Sequence, residues 1–80
     1  MATVKFEKDS LEWKMLNDFW QLMQNYYLPE DSDDYWESEI HDTDEFMKAY
    51  KDHPMAKRLA ISLHNYLEEK YKAMKADNNI

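Results

Sequence analysis

The stretch of this chain best equipped for chemistry runs from Glu30 to Glu45. Nine carboxylates (Glu30, Asp31, Asp33, Asp34, Glu37, Glu39, Asp42, Asp44 and Glu45) fall there within sixteen residues, and His41 is the only candidate cation among them. The segment outweighs the whole chain's formal charge of −7, because residues 1–29 carry −1 and residues 46–80 carry +3. The acidity is therefore a local field, which fits a partner of opposite sign or serves solubility alone. At helical spacing Asp34, Glu37, His41, Asp44 and Glu45 share one outward face, whose carboxylates crudely mimic the phosphate series of a nucleic acid strand. A protein that holds nucleic acid through Lys and Arg would accept such a face, and the association would weaken with salt. The plainer reading is a solvated helix surface that keeps a small protein in solution. Metal chemistry has less to offer. The alternation of Asp31, Asp33, Glu37, Glu39 and Asp42 lacks the glycine turn and terminal bidentate glutamate of a calcium loop. Glu37, His41 and Glu45 at i, i+4 and i+8 could hold an adventitious divalent ion, but no outer ligands support them. No metal and no cofactor are expected, and His41 reads as a surface histidine whose neighbouring carboxylates favour its protonated form.

A second constellation is aromatic. Trp13, Trp20 and Tyr27, each seven residues apart, widen the apolar arc of the first helix to about 200° at ~100° per residue. Large aromatics at a rim often anchor interfaces, so this edge is a candidate dimer or partner surface. Alternatively, helix 1 sits centrally and contacts both other helices with a broad arc. Tyr35 and Trp36, inside the acidic stretch, are further candidate anchors, although helical phase favours core packing for Trp36. Glu39 projects between Phe46 and Tyr50 on the apolar side, where an ionised carboxylate needs a donor: a tyrosine hydroxyl, a lysine of helix 3, or water at a bundle edge, the edge position being the reading adopted. Catalysis finds little footing. His41, His53 and His64 have no cysteine to activate, and Ser10, Ser32, Ser38 and Ser62 lie in no nucleophile turn. The chain reads as non-enzymatic.

Three helices must position these residues. Asp9 and Glu12 form a capping box ahead of Leu11, Met15, Leu16, Phe19, Leu22, Met23 and Tyr26, which predicts helix 1 over about 10–28, ending at Pro29. Helix 2 is expected from Ser32 or Asp33 to about 52, with Tyr35, Trp36, Ile40, Thr43, Phe46, Met47 and Tyr50 on its apolar side. A second capping box at Asp42 and Glu45 leaves a break near Asp42 open. Acidic residues early in this helix complement its positive N-terminal dipole. Asp52-His53-Pro54 predicts the start of helix 3, which runs from 54 to about 75 on Met55, Ala56, Leu59, Ala60, Leu63, Tyr66, Leu67, Tyr71 and Met74, with Lys70, Lys72 and Lys75 suiting its C-terminus. Residues 1–9 are an arm or a short extension, and 77–80 a frayed tail. The expected fold class is all-α, a three-helix bundle making one domain over 1–80.

Composition narrows the remainder. A chain of 80 residues buries only about 60% of its unfolded surface, so its core is thin and a large internal cavity is not expected. Glycine is absent, which excludes the glycine-rich loops that cradle phosphates and disfavours tight hairpins. Cysteine is absent too, so there is neither a disulfide framework nor a thiolate metal site, and cytoplasm is the expected compartment. No apolar run approaches a membrane span of ~20 residues. Direct nucleic-acid binding is disfavoured because the acidic field repels phosphate, although Lys57, Arg58, Lys70, Lys72 and Lys75 make helix 3 locally basic.

From Trp13 to Lys72 the sequence carries Phe19-Trp20, Tyr26-Tyr27-Leu28-Pro29-Glu30, Asp33-Asp34-Tyr35-Trp36-Glu37, Tyr50-Lys51 and the run from Leu63 to Lys70. In these it resembles the small acidic helical proteins encoded by phages and prophages of Gram-positive bacteria. Some small acidic phage proteins, anti-CRISPR proteins among them, block host defence nucleases by occupying a basic nucleic-acid channel. The resemblance implies an inhibitor acting in the host cytoplasm on a protein with a basic surface; it assigns a role to no individual residue. The alternative is an interaction or assembly module that homodimerises through the aromatic edge of helix 1.

Overall fold

Each helix begins where a side chain can satisfy its open backbone donors. Ser10 turns its hydroxyl onto the Trp13 N–H at 3.3 Å, and Ser32 does the same for Tyr35 at 3.1 Å, the arrangement that makes serine a favoured cap. At the third start His53 Nδ1 accepts from the Met55 N–H at 3.1 Å, with Pro54 in the first position where a missing N–H costs nothing. The computed structural model describes residues 2–78 and consists of α1 (Leu11–Tyr26), α2 (Asp33–Ala49) and α3 (Pro54–Asn78). No strand occurs among the described residues. The all-α three-helix bundle expected from the sequence is the fold, and α2 is continuous through Asp42.

The boundaries differ in instructive ways. The α1 cap is Ser10 and not the expected Asp9, whose φ of 70° puts it outside the helix. That helix stops at Tyr26 and not 28, since Pro29 disfavours the helical conformation in the residue before it. The second helix also ends early, at Ala49 and not 52, because Lys51 and Asp52 take left-handed φ values of 51° and 56°. Their N–H groups close the helix end on the Lys48 and Met47 carbonyls at 3.0 and 2.9 Å. A glycine would normally take such a position; without one the chain bears a cost of about 1–2 kcal/mol per left-handed residue. The last helix runs past 75, carrying Asp77 and Asn78 of the expected frayed tail, while 79 and 80 lie outside the described residues. Residues 2–9 are exposed and non-helical.

Burial of one stripe per helix assembles the bundle. Met15, Leu22 and Tyr26 of α1 meet Tyr35 and Phe46 of α2 and Ala56, Ala60, Leu63 and Leu67 of α3, with Phe19, Met23, Trp36, Met47 and Tyr50 packed round them. The pair α2 and α3 shares the most extensive contact. Polar stitches join the helices outside this core: the hydroxyls of Tyr26 and Tyr50 donate to Asp42 and Asp18 across the α1–α2 seam. Burial first, and then the nearby carboxylate, push both phenols up to about 12, so they remain donors at any physiological pH. At the other end the Tyr35 hydroxyl and the Lys70 ammonium donate to the last α1 carbonyls, Tyr26 O at 2.6 Å and Tyr27 O at 2.8 Å. The sequence placed Ile40 on the apolar side of α2, yet it is 55% exposed. The position lies at the margin of the stripe, where α3 does not cover it.

Candidate functional site

Asp34, Glu37, His41, Asp44 and Glu45, the face singled out in the acidic run, all sit on α2, whose helical phase turns them away from the core. Asp34, Glu37, His41 and Glu45 are exposed and Asp44 is half-buried, so the five share one solvent face with the core residues Tyr35, Thr43 and Phe46 opposite. Lys48 pairs with Asp44 at 2.9 Å, an exposed i, i+4 bridge of small energetic weight. The carboxylates of Asp34, Glu37 and Glu45 have no such bridge among the described residues. The face is thus concentrated negative charge on a rigid element.

Glu39 departs most from expectation. The sequence reading put it at a water-reaching edge with a tyrosine, a lysine or solvent as donor; it is instead 0% exposed and its donor is His64 of α3. The imidazole Nδ1 lies 2.8 and 3.0 Å from the two Glu39 oxygens, and Nε2 lies 2.6 Å from Glu68 Oε1. Burial of the ring is the largest single influence on His64 and pushes its pKa down. The hydrogen bonds and charges of Glu39 and Glu68 together outweigh it, so His64 is held above its ordinary value. The protonated ring is also the only form able to donate from both nitrogens. Thr43, the other buried polar residue, gives its hydroxyl to the Glu39 and Ile40 carbonyls, both at 2.9 Å. No buried side-chain polar atom among the described residues lacks a partner. A signal for the pair existed in the sequence: His64 lies four residues after Ala60 and three before Leu67, next to the buried stripe of α3.

Between the acidic face and α3 runs an open groove of about 750 Å³, with Ile40, Met47, Ala60 and Ile61 as its apolar surface, Glu37, His41 and Asp44 along its α2 wall, and His64 also lining it. Sequence reasoning missed this groove because it assigned Ile40 to the core and left Ile61 unused. The groove adjoins the Glu39–His64–Glu68 triad, of which only Glu39 is buried, yet the triad is not arranged for catalysis or metal binding: both His64 nitrogens are engaged by carboxylates, which leaves no lone pair to activate a nucleophile or ligate an ion. Among the described residues no group of three or more His, Asp or Glu side chains is placed to hold a metal ion, Glu37, His41 and Glu45 included.

The aromatic edge is only partly an edge. Trp13 is half-buried, while Trp20 is 59% and Tyr27 45% exposed. Tyr27 is engaged within the chain, its ring 6.4 Å from that of Tyr66 and 3.4 Å below the Lys70 ammonium, a cation–π geometry. Leu16 and Leu28 are exposed nearby in sequence. Tyr35, offered as a surface anchor, is instead buried, and Trp36 packs edge-on against Tyr35 and Tyr71 at 4.8 and 5.4 Å. Among the described residues no helix is long and apolar enough to cross a membrane. No family model matches the chain, and neither a curated protein nor a solved structure matches it.

Proposed function

We propose that this chain is a non-enzymatic binding domain whose acidic α2 face occupies a basic, nucleic-acid-binding surface of another protein, acting as an inhibitor of the kind its resemblance to small phage-encoded proteins implies. The observation that supports this reading is the placement of Asp34, Glu37, Asp44 and Glu45 on one solvent face of a single helix, with only Asp44 bridged to a cation among the described residues. An array of like charge on a rigid element is preorganised for a cationic surface and repels free nucleic acid. The test is a fourfold reversal of these residues to lysine. Helicity by circular dichroism should persist, because outward charges contribute little to packing. Capture of a partner from host lysate should be lost, and wild-type capture should weaken steeply with salt and be competed by the partner's nucleic acid. Capture that survives reversal, or that neither salt nor nucleic acid disturbs, would refute the reading.

A second reading, self-association through α1, is favoured by one observation, the 59% exposure of Trp20 on a helix already packed on its other side. An exposed tryptophan one helical turn after the exposed Leu16 is a ready hot spot.

A further inference from the structure

Charge accounts for the outer face of α2 but not for the apolar groove beside it. Ile40 and Ile61 lie on facing helices, 55% and 53% exposed, and line the groove of about 750 Å³. Two branched aliphatic side chains half in water contribute little to the core, which is built from other positions. The α2 wall beside them carries Glu37 and Asp44 with His41 between them, and Lys48 bridges Asp44 from the exposed side of the helix; the two carboxylates, seven residues apart, stand about 10 Å from each other along the helix axis. An apolar floor beside a negative wall of that period suits one chemistry: an amphipathic helix with an aliphatic stripe, flanked by Lys or Arg at i and i+7.

We propose that this groove receives a basic amphipathic helix of the partner protein, its aliphatic side chains resting on Ile40 and Ile61 and its two cations meeting Glu37 and Asp44. The inference rests on the acidic-face reading and specifies the element of the partner that is bound. Charge excludes the competing occupants. A neutral apolar helix would desolvate Glu37, which has no cationic partner among the described residues, without a counter-charge, and a nucleic acid strand is repelled by both carboxylates. A second copy of this chain docking through the same face would set two surfaces of like sign against one another.

The test uses the full chain and a fluorescein-labelled helical peptide of about 18 residues, with a leucine stripe and arginines at i and i+7, beside a scrambled peptide of identical composition. Anisotropy should show saturable binding, weakened about 10-fold or more by the scramble, by Ile40→Gln with Ile61→Gln, and by Glu37→Lys with Asp44→Lys. All four positions border solvent, so circular dichroism should confirm that both double variants stay folded. If the isoleucine variant binds like wild type while the charge variant does not, the groove is unused and this inference falls, leaving the acidic-face reading intact. If wild type binds neither the peptide nor an oligoarginine of equal charge, both fall. A wild-type dimer in sedimentation that the isoleucine variant dissociates would give the groove to a second copy and overturn the inference.

Discussion

Where α2 meets α3, a carboxylate with no exposed surface lies against an imidazole that a second carboxylate holds from the other side. Where α1 meets α3, Tyr27, Tyr66 and Lys70 form a half-solvated stack. Both contacts contain charge, but only the first removes it from water. Withdrawing one partner from the first strands an ion in a low-dielectric interior, whereas the groups of the second recover their hydration at once. Loss of a partner should therefore cost more at the α2–α3 seam than at the half-solvated α1–α3 stack.

The largest expected effect follows from breaking the first seam. His64→Ala leaves Glu39 buried without a donor and should destabilise the chain by about 3–5 kcal/mol in urea unfolding. Glu39→Leu with His64→Leu should recover most of that loss, because a packed apolar pair replaces an ion pair at little net cost. A double variant as unstable as His64→Ala would mean that the seam matters for shape and not for charge. The same seam predicts a pH dependence. His64 titrates higher in the folded chain than unfolded, so its stabilisation is complete below about pH 6.5 and is lost as pH rises through the folded pKa. The urea midpoint should fall progressively as pH rises above about 6.5, and His64→Gln should flatten that slope. An equal slope in the variant would assign it to another group.

On the α1 side, Trp20→Ala should change monomer stability by no more than ~0.5 kcal/mol and weaken any self-association by ~2 kcal/mol, read by sedimentation. A strict monomer at high micromolar concentration would remove the dimer reading. The smallest effect belongs to the turn between the compared helices: Lys51→Gly should relieve the left-handed backbone and stabilise by about 1 kcal/mol or less. Destabilisation would show that the lysine side chain contributes more than its backbone costs.

Much of this was legible in the sequence, for reasons that also mark where legibility ends. Helix number, order and most of the core follow from apolar period, and the outward phase of Asp34, Glu37, His41, Asp44 and Glu45 follows from the same wheel. Glu39 was rightly singled out as an acid on the wrong side, but its donor belongs to another helix, and a wheel does not say which residue of α3 stands opposite. Ile40 failed for the related reason that the width of a buried stripe depends on how far the neighbouring helix reaches. The end of α2 was misjudged because left-handed turns are usually signalled by glycine, and here Lys51 and Asp52 take that conformation.

The buried Glu39 also bears on the order in which the chain acquires structure. Both α1 and α2 precede α3, so a hairpin of the first two helices that collapsed early would hold Glu39 on its apolar face before residue 64 had been synthesised. In such an intermediate the side of α2 that meets α3 is open to water and the carboxylate stays hydrated; its removal from water and its pairing with His64 occur together, when α3 docks. Burial of the α2–α3 seam is therefore expected to be completed in one step with the arrival of the last helix. Native-state amide exchange should accordingly report one common opening free energy for the facing cores of α2 and α3, and separate opening of the two would contradict it.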